Sequence, residues 1–119
     1  MSLQSSKIAA LNDALRAGIL DRNVKKADIN GCVLLTDGIA SLPIATKITI
    51  LTEVRLFDSF DDDNDPHGER DFGAFDNPAV GRVFWKIDYY NADMTGGSPD
   101  PADPEITRRV LTIMRATEY

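Results

Sequence analysis

The spacing of apolar positions changes along the chain, and each change marks an element. "SSKIAALNDALRAG" puts Ile8, Leu11 and Leu15 at helical intervals. Ser5 or Ser6 is suited to cap such a helix over Lys7 to Ala17, and Gly18 to stop it. Residues 19–30, "ILDRNVKKADIN", are polar without a clear period and are assigned to no element. "CVLLT", residues 32–36, is a short apolar run that predicts a buried strand ending in an Asp37-Gly38 turn. A second helix is expected from about Ser41 to Phe57, with Pro43 in its first turn. Its buried stripe is read as Ile44, Ile48, Leu51 and the stem of Arg55, extended by Val54.

The period then drops to two. "DFGAF", residues 71–75, predicts a strand, "NPAVG" a hairpin loop, and "RVFWKIDYY", residues 82–90, the clearest strand of the chain. Alternation assigns Val83, Trp85, Ile87 and Tyr89 to the core, and Phe84, Lys86, Asp88 and Tyr90 to the opposite face. After the Gly- and Pro-rich "NADMTGGSPDPADP", a last helix is expected. Asp103 would be its N-cap, Pro104 its first residue, and Glu105 would complement its dipole. Ile106, Val110, Ile113, Met114 and Thr117 would form its buried stripe. The order α-β-α-β-β-α implies an α+β fold, a small antiparallel sheet of about three strands with helices packed on one face. A chain of 119 residues predicts a single domain over residues 1–119.

Composition adds limits. The chain is 43% apolar and 27% charged, which predicts a folded protein rather than a disordered one. Cys32 is the only cysteine, so no internal disulfide forms, and a reducing, cytoplasmic setting is expected. No apolar run reaches the roughly 18 residues that span a bilayer, and the N-terminus reads as neither signal peptide nor anchor. The net charge of −6 is uneven. Residues 57–76, "FDSFDDDNDPHGERDFGAFD", hold eight carboxylates against Arg70, a local net of −7. The remaining 12 basic and 11 acidic residues net +1. Such a segment repels nucleic acid and attracts cations or basic protein surfaces.

The acidic segment is the candidate for chemistry. Asp61, Asp63 and Asp65 alternate as at the start of a calcium loop, and a hard cation wants about six to eight oxygens. Counting from Asp61, however, the sixth position is Pro66 rather than Gly, and the twelfth is Phe72 rather than Glu. A non-standard divalent-cation site would draw on Asp61, Asp63, Asp65, His67 and Glu69. The competing and favoured reading is structural. Asp and Asn fold back on their own backbone as Asx-turns, and His67-Gly68 closes a tight turn. Carboxylates would pair with Arg70, Lys86 or the C-terminal arginines. Arg108, Arg109 and Arg115 are read as a solvated helix face, and the alternative is Arg108 or Arg109 as a clamp on the loop. A Cys32–His67 nucleophilic pair is disfavoured, because Cys32 opens an apolar strand and is expected to be buried. Asp71-Phe72-Gly73 lacks the companion motifs of a kinase. No catalytic residue is assigned.

"FDSFDDDNDPHGERDFGAF", "FWKIDYY" and "SPDPADPEITRRVLTIMRATEY" resemble the bacterial domain-of-unknown-function family 3768 over roughly residues 7–119. The resemblance implies a bacterial, cytoplasmic protein, often carried on plasmids or other mobile elements, and brings no activity with it. Three readings stay open. One is a non-enzymatic binding or accessory protein that contacts a basic protein partner, without binding nucleic acid or membrane itself. Its weak candidate surface is Phe84, Lys86, Asp88 and Tyr90. The second is a divalent-metal-binding protein or metal-dependent hydrolase built on Asp61 to Glu69. The third is a homo-oligomer with a structural role that uses the Phe84 and Tyr90 face.

Overall fold

A computed structural model describes residues 3–20 and 30–119. Most of the unassigned stretch 19–30 therefore lies outside the described residues. The elements are α1 (Leu3–Ala17), β1 (Asn30–Leu35), α2 (Asp37–Ala40), α3 (Ile44–Leu56), β2 (Phe72–Asn77), β3 (Gly81–Asn91) and β4 (Thr107–Arg115). A short 3₁₀ turn, Ala116–Glu118, follows. The fold is α+β, with a mixed sheet of four strands in the order β1-β4-β3-β2. β1 runs parallel to β4, and the β4–β3 and β3–β2 pairs are antiparallel.

The largest departure from the sequence reading is β4. The expected last helix is a central strand, which raises the sheet from three strands to four. It has buried residues on both faces: Thr107, Arg109, Leu111 and Ile113 on the helix side, Val110 and Met114 on the other. "VLTIM" is a continuous apolar run, the pattern of a strand hidden on both sides, and Thr107, Val110, Thr112 and Ile113 are β-branched. Asp103 does accept a backbone N–H, as a cap would. Its Oδ1 takes the Glu105 amide at 3.0 Å, which makes an Asx-turn that delivers the chain into β4.

The hairpin is as expected. Gly81 lies at φ 82°, in the left-handed region that a tight connection between β2 and β3 requires. Val83, Trp85 and Ile87 are buried and Tyr89 is half-buried, so the core face of β3 is the one that alternation assigned. These side chains join Leu111 and Ile113 of β4, Ile39 of α2, and Ile50 and Val54 of α3 in one cluster. Each such apolar side chain contributes about 1.5–3 kcal/mol on burial.

The helices lie on this side of the sheet, and their buried faces match the expected stripes only in part, at Ile8 and Val54. In α3 the buried residues are Ile50 and Val54, while Ile44 and Ile48 are 69% and 48% exposed. The two pairs sit about 120° apart around the helix axis. Apolar residues encircle this helix, so only the neighbours choose its inner face. α1 begins at Leu3, so Ser5 and Ser6 are inside it. Its most buried positions are Ile8, Ala9, Asn12 and Arg16, whereas Leu11 and Leu15 are half-buried. β1 is an edge strand with exposed residues, Cys32 among them, rather than a buried strand. Asp37-Gly38 opens the short helix α2 instead of a simple turn.

The 3₁₀ turn ties both ends of the fold together. Glu118 accepts from Thr36 Oγ1 at 2.7 Å and from the backbone amides of Arg115 and Gly38 at 2.9 Å each. Those donors hold its carboxyl below the usual carboxylate range.

Candidate functional site

Phe57 and Phe60 moor the start of the acidic segment. Their rings meet edge to face at 5.1 Å and stand against the buried Trp85 at 5.6 and 6.1 Å. Beyond them the carboxylates organise their own backbone. Asp61 Oδ1 accepts the amides of Asp63 and Asn64 at 2.9 Å each, and Asn64 Oδ1 accepts the Asp61 amide at 2.9 Å. Asp65 Oδ1 accepts the Arg70 amide at 2.9 Å. The Asp61–Asp63 bond is an Asx-turn as expected, and the others are further local side-chain-to-backbone bonds. Gly68 donates to Asp65 O at 3.1 Å and closes the turn after His67. Arg70 follows with φ 55°, a left-handed conformation that a side-chain-bearing residue adopts only under constraint.

The turn and α1 enclose an open groove of about 410 Å³. Ser6, Ala9, Ala10 and Asp13 line the helix side; Asp61, Asp62 and Asp65 line the turn side. Arg70 is also in the lining, and its guanidinium stacks over the Phe60 ring at 5.1 Å and pairs with Asp13 at 3.1 Å. Asp13 also takes Arg16 at 2.9 Å. Arg16 is itself buried and donates to Val54 O at 2.8 Å and Phe57 O at 2.9 Å, at the C-terminal end of α3. Its guanidinium lies 4.7 Å from the Trp85 ring centroid. One arginine thus links α1, α3 and the central tryptophan.

A second polar knot lies beneath the return of the chain into β2. The Arg109 guanidinium is buried and donates from Nε to Asn12 Oδ1 at 2.8 Å. Another of its nitrogens donates to Pro101 O, and the Tyr89 ring lies 5.2 Å away. Asn12 Nδ2 reaches Glu69 O at 3.0 Å and the Tyr89 hydroxyl at 2.8 Å, and that hydroxyl donates to Glu69 Oε1 at 3.1 Å. Burial pushes the Tyr89 phenol far above its ordinary range, so it remains a donor. The sequence places Arg109 on a solvated helix face or, as the alternative, as a direct clamp on the acidic loop. It acts instead through Asn12, which holds the Glu69 backbone. Sequence reading missed Asn12 and Arg16 altogether. The signal was present in the four-residue spacing Ile8, Asn12, Arg16, a helix face with two polar members.

The other predicted residues are distributed as follows. Phe84, Lys86, Asp88 and Tyr90 share the sheet face that points away from the helices, with Lys86 and Asp88 paired at 3.0 Å. The acidic turn belongs to the helix side, so aromatic and acidic residues do not form one surface. Cys32 is exposed on the sheet face opposite the turn that carries His67, so the two do not pair. Asp61, Asp63, Asp65, His67 and Glu69 follow one another along the turn. Among the described residues, no three His, Cys, Asp or Glu side chains converge as a metal site requires.

Asp71 sits at the exit of the turn, half-buried. Desolvation, aided by the nearby Glu69, raises its carboxyl above the ordinary range. An acid raised on folding weakens the fold once the unfolded chain ionises. That cost is absent below the ordinary Asp pKa of about 4, grows as pH rises through it, and is complete above the raised value. Asp71→Asn is therefore expected to melt higher than the wild type at neutral pH and to lose the advantage in acid. Thermal melts across that range measure it.

No described helix is long and apolar enough to cross a membrane. No curated protein and no solved structure matches the chain. Residues 35–118 match the family described as protein of unknown function (DUF3768), a narrower span than the 7–119 of the sequence resemblance. The match takes in the acidic turn, the hairpin and β4, and since it covers most of the 119 residues, this chain belongs to the DUF3768 family.

Proposed function

We propose that this protein is a non-enzymatic binding module that receives a basic segment of a partner protein in the groove between α1 and the acidic turn. The observation that carries the reading is the turn's own hydrogen bonding. Asp61 and Asp65 each spend an oxygen on backbone amides, which fixes the turn with Asp61, Asp62 and Asp65 along one wall of the groove. On the facing wall Ser6, Ala9 and Ala10 are small and leave room for an extended chain. A preformed acidic wall spares a ligand part of the ordering cost of binding, and it steers cations by its field. Proteins that handle nucleic acid expose clusters of Lys and Arg and form a natural partner class, whereas nucleic acid itself is repelled.

The test is fluorescence anisotropy with a labelled Lys- and Arg-rich peptide, at low salt and near physiological salt. Asp62→Lys reverses one wall charge without touching a turn hydrogen bond, and about five- to tenfold weaker binding is expected. Ala10→Trp fills the groove without changing charge and should weaken binding at least as much. Asp93→Lys, outside the groove, should leave affinity within about twofold. Equal losses from Asp62→Lys and Asp93→Lys, or no loss from Ala10→Trp, would reduce the attraction to net charge and refute the groove.

A further inference from the structure

We infer that the sheet face opposite the helices is a two-fold interface, on which a second copy of this chain docks. Independently of the groove, the basis is the order of side chains along β3. Phe84, Lys86, Asp88 and Tyr90 point the same way and read aromatic, cation, anion, aromatic. A two-fold axis crossing β3 at Ile87, in the plane between two facing sheets and perpendicular to the strand, sets residue 84 opposite 90 and 86 opposite 88. Aromatic then meets aromatic and cation meets anion, twice over. That is the self-complementarity an isologous contact demands. A strand with two like charges in these places would repel its own copy.

The surroundings fit the same occupant. Beside β3 on this face Leu34 of β1 stands 52% exposed, whereas Val110 and Met114 of β4 are already buried within the protomer. At the far end Tyr119, 76% exposed, meets the Phe84 ring edge to face at 5.4 Å. Four strands at about 4.8 Å spacing give a face on the order of 500 Å² in plan, and two such faces together reach the ~1,000 Å² that a specific contact needs. The acidic turn, which carries the excess negative charge, packs on the helix side of the sheet and does not face the partner copy.

The experiment is sedimentation equilibrium of the full chain across about 1–300 µM, a range suited to a contact of this size. The wild type is expected to move from 13.1 kDa towards twice that mass as concentration rises. Lys86→Glu alone puts two anions opposite each other, and Asp88→Lys alone two cations. Each variant should remain monomeric over the range while keeping the wild-type near-ultraviolet spectrum. Mixing the two variants restores both opposite-charge pairs and should restore the dimer mass. A monomeric wild type overturns the inference. So do single variants that still dimerise, or a mixture that stays monomeric while both variants are folded.

Discussion

Replacing Asn12 with alanine is expected to destabilise the protein by about 3–5 kcal/mol, because it takes a hydrogen bond from three groups at once, one of them the charged Arg109, at about 1–3 kcal/mol for each buried group left unsatisfied. Asn12 has no exposed surface, and its amide serves three groups at once: Arg109 Nε, the Glu69 carbonyl and the Tyr89 hydroxyl. Without it the Arg109 guanidinium keeps the Pro101 carbonyl and the Tyr89 ring but loses its acceptor at Nε. Typical domains are stable by about 5–15 kcal/mol, so this one side chain decides a large share of the total. Tyr89→Phe should cost about 1–2 kcal/mol, since it deletes a hydroxyl and leaves the arginine paired with Asn12. Urea melts of both single variants and the double variant measure the network. Because the residues share partners, the double variant should lose less than the sum of the singles. Strict additivity would show that Asn12 and Tyr89 act separately. A loss of under about 1 kcal/mol for Asn12→Ala would show that Arg109 is solvated without it.

The second large effect is expected at Gly73. A methyl group there would lie 2.4 Å from Trp85 Nε1 and 2.8 Å from Phe57 Cε1. Neither ring has an easy retreat. Trp85 is fully buried, ringed by Phe57 and Phe60 on one side and the Arg16 guanidinium on another. Gly73→Ala should therefore cost about 3 kcal/mol, at the upper end of what overpacking a core costs. Trp85 is the only tryptophan of the chain, so its fluorescence and near-ultraviolet circular dichroism report the displacement directly. An unshifted emission spectrum with unchanged stability would mean that β2 can move away from β3 at this point. The glycine also has functional weight: it lets β2 lie flat against the tryptophan on which the mooring of the acidic turn depends.

How much of this was readable in the sequence follows from the range of the interactions involved. The β3 faces were legible because strict alternation over nine residues has one solution. The hairpin was legible from its turn residues, and the Asx-turns from the density of Asp and Asn, since both are settled within a few residues. Asp103 shows the limit of local reading: the same side chain and the same kind of hydrogen bond start a helix in one context and a turn into a strand in another. For "TRRVLTIMR" the periodicity was compatible with both. At α3 the apolar residues offered more than one stripe, and the stripe chosen from sequence is inner at Val54, half-buried at Leu51 and exposed at Ile44 and Ile48.

By itself, then, the sequence determined an α+β protein, the alternation of β3, the self-bonded acidic turn and its excess of negative charge. Only the tertiary structure decided that residues 107–115 form the central strand, that Ile50 rather than Ile44 and Ile48 joins Val54 on the inner side of α3, and that Asn12 and Arg109 are buried against each other and Arg16 against Trp85. The physical reason is the same in each case. Local pattern reports which residues can hide from water, but neighbours distant in sequence, β1 and β3 around β4 and α1 against the sheet, supply the surfaces and hydrogen-bond partners that make one way of hiding cheaper than the others.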